Sequence, residues 1–506
     1  MIMPDSGPLN LYSTYSEHFP SPDSVLLETD TGERFTYGDA ERESARVANF
    51  LHGLGLHKGD RVSVQVEKSP QGLWLFLGTL RAGMVFHPLN TAYTQEELQF
   101  FLTDACSSLL VCDTANEVQL RTLCGVVGTP HLYTLGAQGA GTLSQALKPR
   151  STDFAAVDTV ASDIAALVYS SGTTGTPKGI MLSHGNLVAN ASTLVDYWGF
   201  TQDDCLLHAL PIFHVHGLFV AIGCALMSGC RMRWLSRYAV REVLESLPQS
   251  TVMMGVPTYY TRLLAEPAFG AQMCAGMRLF ISGSAPLLPD TFSAFEARSG
   301  HTILERYGMT ETGMNTSNPL KGERRAGTVG FPLPGVDVRI CAEDGAPCAS
   351  GAVGDLQVRG DNVFVGYWNL PGKTAEDFTP DGFFITGDQA SVDGTGYISI
   401  VGRSKDMVIS GGLNIYPREI ELLINSIPGI DESAVIGIPD ADFGEALVAV
   451  VVREEGEAVV SSEEVIEALR ERIAGFKVPK TVQIVEELPR NAMGKVQKAE
   501  LRALYS

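Results

Sequence analysis

Tyr169-Ser-Ser-Gly-Thr-Thr-Gly-Thr-Pro-Lys-Gly179 decides how this chain is read. The apolar run 164–169 leading into it reads as a buried strand. The segment itself gathers three glycines, five serine or threonine hydroxyls and one lysine. Glycine lets backbone N–H groups come close to an anion, hydroxyls add donors, and Lys178 adds a positive charge. These are the parts of a loop that grips phosphates. It is not the common P-loop: after Gly172 and four residues, Pro177 stands where that pattern needs its second glycine.

Outward from this loop the chain divides into three zones. From about 9 to 147, helical patterns such as 37–54 alternate with short strands such as 61–66. A second zone, from about Ser162, has strand patterns at 251–256 and 279–282 with helices between. Such alternation implies parallel sheets covered by helices. Turn signals every few residues at 351–367 suggest a small β-barrel or distorted sheet. A boundary falls near Gly402-Arg-Ser-Lys-Asp406, after which a helix at 418–425 and a strand at 434–438 begin a separate unit. The expected fold is therefore α/β. A large N-terminal domain, 1–402, has helix-covered sheets and a small β-barrel, and a small mobile α+β domain spans 403–506.

At 506 residues the chain is too long for one core. A net charge of −21 argues against general binding to nucleic acid or anionic membranes, both of which need a positive face. Nine cysteines lie between Cys106 and Cys348 with no C-x-x-C pair, which fits buried free thiols rather than zinc or a disulfide framework. The N-terminus has no signal-peptide pattern, so a cytoplasmic protein is expected. The span 205–230 lacks Asp, Glu, Lys and Arg but holds Pro211 and several glycines, which reads as buried strand and helix rather than a membrane span. Oligomeric state is not legible.

Further elements carry chemistry. Tyr307-Gly-Met-Thr-Glu-Thr312 combines an aromatic that can stack a base with Glu311, a hard oxygen ligand of the kind Mg²⁺ needs. Ser282-Gly-Ser-Ala-Pro-Leu287 follows an apolar strand, and its small residues permit close backbone approach. In Phe384-Ile-Thr-Gly-Asp388 and Gly402-Arg403, a carboxylate can accept from two ribose hydroxyls with an arginine to assist. Pro489-Arg-Asn-Ala-Met-Gly-Lys495 places a lysine near the C-terminus. In Pro211-Ile-Phe-His-Val-His-Gly217, His214 and His216 would share one side of a strand, but a third zinc ligand at suitable spacing is missing.

Taken together and in this order, these motifs resemble the adenylate-forming enzymes: acyl-CoA synthetases, peptide-synthetase adenylation domains and beetle luciferases. The resemblance runs from about Thr36 to about Lys498, and within the family it is strongest to malonyl-CoA synthetases. It implies ATP, Mg²⁺ and coenzyme A as cofactors. Ser170, Ser171, Gly172, Thr173, Thr174, Gly175 and Lys178 would hold the phosphates, with Thr173 and Glu311 on the metal. Ser284, Ala285 and Pro286 would wall the adenine and acyl pockets, and Tyr307, Gly308, Met309 and Thr310 would meet the nucleotide. Asp388 and Arg403 would hold the ribose. Lys495 would bridge carboxylate and α-phosphate, and His214 would gate the acyl pocket near the reacting carboxylate. Val215 and Met314 would lie near the substrate α-carbon. The small domain would turn about Asp406, bringing Gly411, Gly412 and Leu413 to the pantetheine tunnel.

A buried dicarboxylate needs its second charge paired, and arginine suits that task. Arg306 and Arg262 are the candidates, with Arg278 a weaker third. Some malonyl-CoA synthetases carry Arg where this chain has Thr176, so any contact of that arginine does not transfer. The expected activity joins malonate, ATP and CoA into malonyl-CoA, AMP and pyrophosphate through malonyl-AMP. Methylmalonate or another short acid, a stand-alone enzyme loading a carrier protein, and a non-catalytic nucleotide binder are the alternatives.

Overall fold

The computed structural model describes residues 7–170, 177–410, 413–440, 444–454, 460–473, 475–491 and 494–506. Its helices form where the chain supplies caps. Thr36 and Asp39 make a reciprocal capping box at the start of Tyr37–Gly53. Ser69 caps Pro70–Arg81, whose proline takes the first helical position. These two helices cross closely at Gly78, where a Cβ would lie 2.4 Å from Cβ of Val47. His184–Trp198 begins on a Ser183–Asn186 capping box and ends at Gly199 in the left-handed region.

Two large sheets form the first body. A nine-stranded sheet runs in the order Phe331–Pro332, Gly313–Ser317, Leu304–Met309, Leu279–Ser282, Val252–Gly255, Cys205–His208, Arg231–Trp234, Val25–Thr29, Arg34–Thr36. Its central strands are parallel. A seven-stranded sheet runs Gly366–Tyr367, Lys178–Ser183, Ile164–Ser170, Val85–Pro88, Arg61–Gln65, Leu109–Cys112, His131–Thr134. Leu73, Leu75, Phe76, Leu218 and Ile222 are fully buried within the main core. Residues 205–230 are buried strand and helix, as expected. His214 and His216 do not share a strand, however: His216–Ala221 is a π-helical turn. Gly217 opens it so tightly that a Cβ there would lie 2.0 Å from the Pro211 carbonyl oxygen.

The strand-rich stretch, expected as a small β-barrel or distorted sheet, is a four-stranded antiparallel sheet of Val336–Cys341, Gly354–Gly360, Phe384–Val392 and Ile398–Arg403. A short turn, Ser404–Asp406, separates it from the last sheet. That sheet holds Leu413–Ile415, Val408–Ser410, Gly444–Arg453, Ile430–Asp440 and Thr481–Val485. It has its own core of Val408, Ile420, Ile424, Val435, Ala449 and Val465 among others. The whole is α/β, with a large N-terminal and a smaller C-terminal domain.

Candidate active site

The parallel strands of the nine-stranded sheet end at one edge, and the chemistry-bearing residues collect there. Ser171, Gly172, Thr173, Thr174 and Gly175 lie outside the described residues. Ser170 ends the strand that enters this segment, and Lys178 opens the strand that leaves it. Nζ of Lys178 sits 4.8 Å from the centre of the Tyr367 ring. The Tyr367 hydroxyl donates to Oε1 of Glu311 at 3.5 Å. Burial pushes the Glu311 carboxyl up, while Arg403 and Lys178 pull it down. A cation over an aromatic face and a carboxylate at its hydroxyl thus define one end of a cleft. Tyr367 escaped the sequence reading because nothing local marks it.

The other end is built on paired strands. Asp388 and Arg403 stand directly opposite each other in the four-stranded sheet. Oδ1 of Asp388 accepts from Nε of Arg403 at 2.6 Å, and Oδ2 accepts from the Tyr307 hydroxyl. Burial first, and then Asp388, push the Tyr307 phenol far above its ordinary value, so it stays a donor. Gly308 follows with no room for a side chain: a Cβ would lie 2.1 Å from the Gly313 carbonyl oxygen and 2.6 Å from Cε of Met314. Met314 is thereby held against the strand of Tyr307 and Met309. Thr310 is half-buried in the turn that leads to Glu311.

Lys495 comes from the small domain into this cleft. Its backbone N–H donates to Oδ1 of Asn491 at 3.0 Å. The side chain keeps solvent contact along the open face, and protein surrounds its other sides. Burial depresses its pKa, Arg403 and Arg306 add to this, and Asp388 and Glu311 oppose it. His214 lies within the same field. Its pKa falls to about 3, through burial first and then Lys495 and Arg306. It is a neutral imidazole whose Nδ1 accepts from the His216 N–H at 3.3 Å.

Arg306 forms the floor. It is 3% exposed, and its Nε and Nη2 have no hydrogen-bond partner. Burial lowers its pKa to about 10, which leaves it charged at neutral pH. Ser284, whose φ of 70° is rare for a residue with a side chain, turns Oγ to within 3.2 Å of Nδ1 of His216. Ala285 and Pro286 continue this turn, and the Leu287 N–H donates to Oε1 of buried Glu305 at 3.0 Å.

Three expected substrate residues have neighbours of their own in the fold. Arg278 is held by protein groups: Nε and Nη2 each bond Asp204 at 2.7 Å, and Nη1 and Nη2 donate to the carbonyls of Trp198 and Gly199. An arginine with a nearby carboxylate becomes a structural brace. Arg262 is exposed on the helix Pro257–Ala265, 6.0 Å from the Tyr238 ring, and is not brought to Arg306. Val215 is buried and lines an internal void with Asn190, Phe219 and Gly313. Gly411 and Gly412 lie outside the described residues, and the backbone of Leu413 starts the strand Leu413–Ile415. Asp406 ends the interdomain turn, with its Oδ1 2.8 Å from Nη2 of Arg502.

Comparison with known proteins agrees with this geometry. Residues 17–368 match the AMP-binding enzyme family and residues 419–495 the AMP-binding enzyme C-terminal domain. A malonate–CoA ligase of Arabidopsis thaliana is 34% identical over 97% of this chain and 88% of its own length. A feruloyl-CoA synthase of Amycolatopsis is 36% identical over 94% of each. The crystal structure of ATP-bound MatB from Rhodopseudomonas palustris is 49% identical, covers 98% of this chain and 99% of that one, and superposes with a TM-score of 0.96. The apo form of the same protein, also at 49% identity and with coverage of 98% and 99%, superposes at 0.85. With its two family segments matched in order and CoA ligases among its relatives, the chain belongs to the AMP-binding enzyme family and is an AMP-forming acyl-CoA ligase.

Proposed function

We propose that the protein is an ATP-dependent malonate–CoA ligase, forming malonyl-CoA, AMP and pyrophosphate through malonyl-AMP. The observation that carries the choice of acid is Arg306: a buried guanidinium with no carboxylate partner among the described residues, within the electrostatic field of His214 and Lys495. A buried cation without a counter-ion is costly, and an acid with a second carboxylate supplies one. The malonate–CoA ligases among the relatives and the MatB structure support this reading.

In the first half-reaction a malonate oxygen attacks the α-phosphorus and pyrophosphate leaves. Arg306 holds the distal carboxylate, so the reacting one points toward Lys495. Lys495 carries the charge that develops on the phosphoryl oxygens and orients the nucleophile. His214, being neutral, adds no second positive charge beside it and leaves the carboxylate nucleophilic. Asp388 and Arg403 take the ribose, Tyr307 faces the adenine, and Lys178 with residues 170–175 holds the phosphates. Glu311 fits a Mg²⁺ ligand, since it is a buried carboxylate with no cation in hydrogen-bond reach among the described residues. When bound, that ion would neutralise phosphate charge. In the second half-reaction the CoA thiol displaces AMP. Lys495 must then leave the cleft, and rotation about Asp406 would exchange it for the segment 411–413. The higher superposition on the ATP-bound relative supports reading the present arrangement as the one that makes the adenylate. No helix of the described residues is long and apolar enough to cross a membrane. We assign the enzyme to the cytoplasm.

The test is acid-dependent ATP–pyrophosphate exchange with malonate, methylmalonate, succinate, acetate and coumarate, on wild type and Arg306→Met. Malonate is expected to be best, and its advantage to collapse in the variant. A preference for acetate or coumarate that survives the substitution would retain the adenylation chemistry and overturn the choice of acid.

A further inference from the structure

Arg306 is not alone in lacking partners. Among the described residues, Nε2 of His216 and Oγ of Ser282 are also buried without a hydrogen bond, and Ser282 directly precedes Gly283, against which the guanidinium lies. His216 is 2% exposed and stands in the electrostatic field of Arg306. Buried polar atoms are nearly always satisfied, so a group of neighbouring orphans marks the place of a ligand. The orphans on Arg306 are donors. On His216, Nδ1 already faces the Ser284 hydroxyl at 3.2 Å, and if it accepts from that hydroxyl the ring proton sits on Nε2. Burial, with Arg306 and His214 adding to it, drives the imidazole pKa far below its ordinary value, so it brings a donor and no extra charge. One guanidinium charge and donors on two residues fit one carboxylate.

His216 in turn is held by a buried relay. The carbonyl of Gly217, the next residue, accepts from Nε2 of His208 at 3.0 Å. Nδ1 of His208 therefore accepts, and Nζ of Lys68 donates to it at 2.7 Å. Lys68 also donates to the His208 carbonyl at 2.7 Å, and its Nζ lies 4.4 Å from the centre of the Trp234 ring. Trp234 and His208 stack with ring centres 5.0 Å apart and 16° between planes. Lys68 is 7% exposed, and among the described residues no carboxylate is in hydrogen-bond reach of it; burial pushes its pKa well down, with Asp30 opposing. A core does not keep a buried amine for stability, since an apolar chain of the same length would fill the space at lower cost. What the amine does is fix the tautomer and the plane of His208, and with them the Gly217 carbonyl at the head of a π-helical turn. Turns of that kind are enriched at functional sites.

We propose that His216 is a second donor to the distal carboxylate beside Arg306, and that Lys68, acting through His208 and Gly217, is the positioning residue that aims it. This rests on the dicarboxylate reading above. Lys68 does not stand out in the sequence, because it meets His208 across 140 positions.

The experiment measures kcat and KM for malonate and for propionate, which has a methyl group in place of the distal carboxylate, on the full-length chain. The variants are His216→Leu, His216→Gln and Lys68→Met. His216→Leu should lower the malonate-to-propionate ratio of kcat/KM by about 10- to 100-fold, mostly through KM. His216→Gln, whose amide nitrogen falls near Nε2, should restore most of the ratio. Lys68→Met should lower it by about 3- to 10-fold, a loss specific to the dicarboxylate that a general packing defect would not produce. Calorimetric ATP affinity identifies a misfolded variant, in which case His216→Asn, which puts its amide at the place of Nδ1, replaces the leucine variant with the same expected loss. A wild-type ratio in His216→Leu overturns the assignment of His216, and one in Lys68→Met overturns the relay. If wild type itself does not prefer malonate to propionate, it is the dicarboxylate reading that falls.

Discussion

The guanidinium of Arg306 lies against the backbone of Gly283: a Cβ at residue 283 would stand 2.4 Å from Cζ, 2.5 Å from Nη1 and 2.6 Å from Nε. Space, not backbone conformation, requires glycine here. Gly283→Ala should displace the guanidinium, raise KM for malonate by about tenfold or more, and cost about 1–3 kcal/mol from overpacking. Exchange kinetics at varied malonate and a thermal melt check both. An unchanged KM would place the acid elsewhere.

Arg278 serves stability. Asp204 is almost fully buried and Arg278 about one-third exposed, so the pair is partly shielded from solvent. Arg278→Met strands a buried carboxylate and should cost about 2 kcal/mol, while the ranking of acids in the exchange assay stays as in wild type. A changed ranking at wild-type stability would return Arg278 to the substrate.

The pH profile of adenylation should report Lys495 and not His214. His214, at about 3, is neutral throughout the working range and contributes no limb. Lys495 acts as a cation with a pKa below the ordinary lysine value. Activity should therefore fall as pH rises through that depressed value, earlier than for an ordinary lysine. Lys495→Arg, which stays charged, should have low activity without that alkaline limb. A limb that persists in the arginine variant would assign it to another group.

Glu305 makes stability pH-dependent. Burial raises its pKa to about 7, against the Leu287 N–H and Arg418. Below the unfolded value of about 4.5 the carboxyl is neutral in both states and contributes nothing. As pH rises from about 4.5 to about 7, the unfolded chain loses its proton while the folded one keeps it, so stability falls, by about 3 kcal/mol in all. Glu305→Gln should remove this loss, and its melting temperature relative to wild type should climb across that window. A pH-independent difference would show that Glu305 is ionised in the fold.

The turn Ser404–Asp406 joins the four-stranded sheet to the small domain. Asp406→Pro should preserve malonyl-AMP formation and slow thioester formation, because proline restricts the backbone change that a hinge must absorb. Exchange and single-turnover CoA assays separate the two steps, and equal loss of both would remove the hinge from Asp406.

Much of this was legible in sequence because the signals are local. The runs at 251–256 and 279–282 are apolar and bounded by turn residues, and they form the strands Val252–Gly255 and Leu279–Ser282. Asp388 and Arg403, read as a pair, face each other across neighbouring strands. What failed depended on distant partners. Arg278 and Arg306 both adjoin parallel strands, and only the position of Asp204 makes one a brace and leaves the other unpaired. His214 and His216 read as strand because short apolar runs do not distinguish strand from helix. The tight packing of Gly217 on Pro211 decides that question.

The strand Gly366–Tyr367 pairs antiparallel with Lys178–Ser183, and the Trp368 N–H donates to the Gly179 carbonyl at 2.7 Å. The edge of the phosphate segment is therefore closed by chain made nearly two hundred positions later. During synthesis, a nascent chain that has emerged only to the end of the nine-stranded sheet carries the whole signature 169–179 with one side of it still unpaired. Loop closure over such a distance is slow, and the open edge is a site for wrong pairing until it completes. The phosphate edge would thus close only when Tyr367 and Trp368 clear the exit tunnel, and nucleotide affinity would follow only once Asp388 and Arg403 have emerged as well, rather than grow as the motif itself appears.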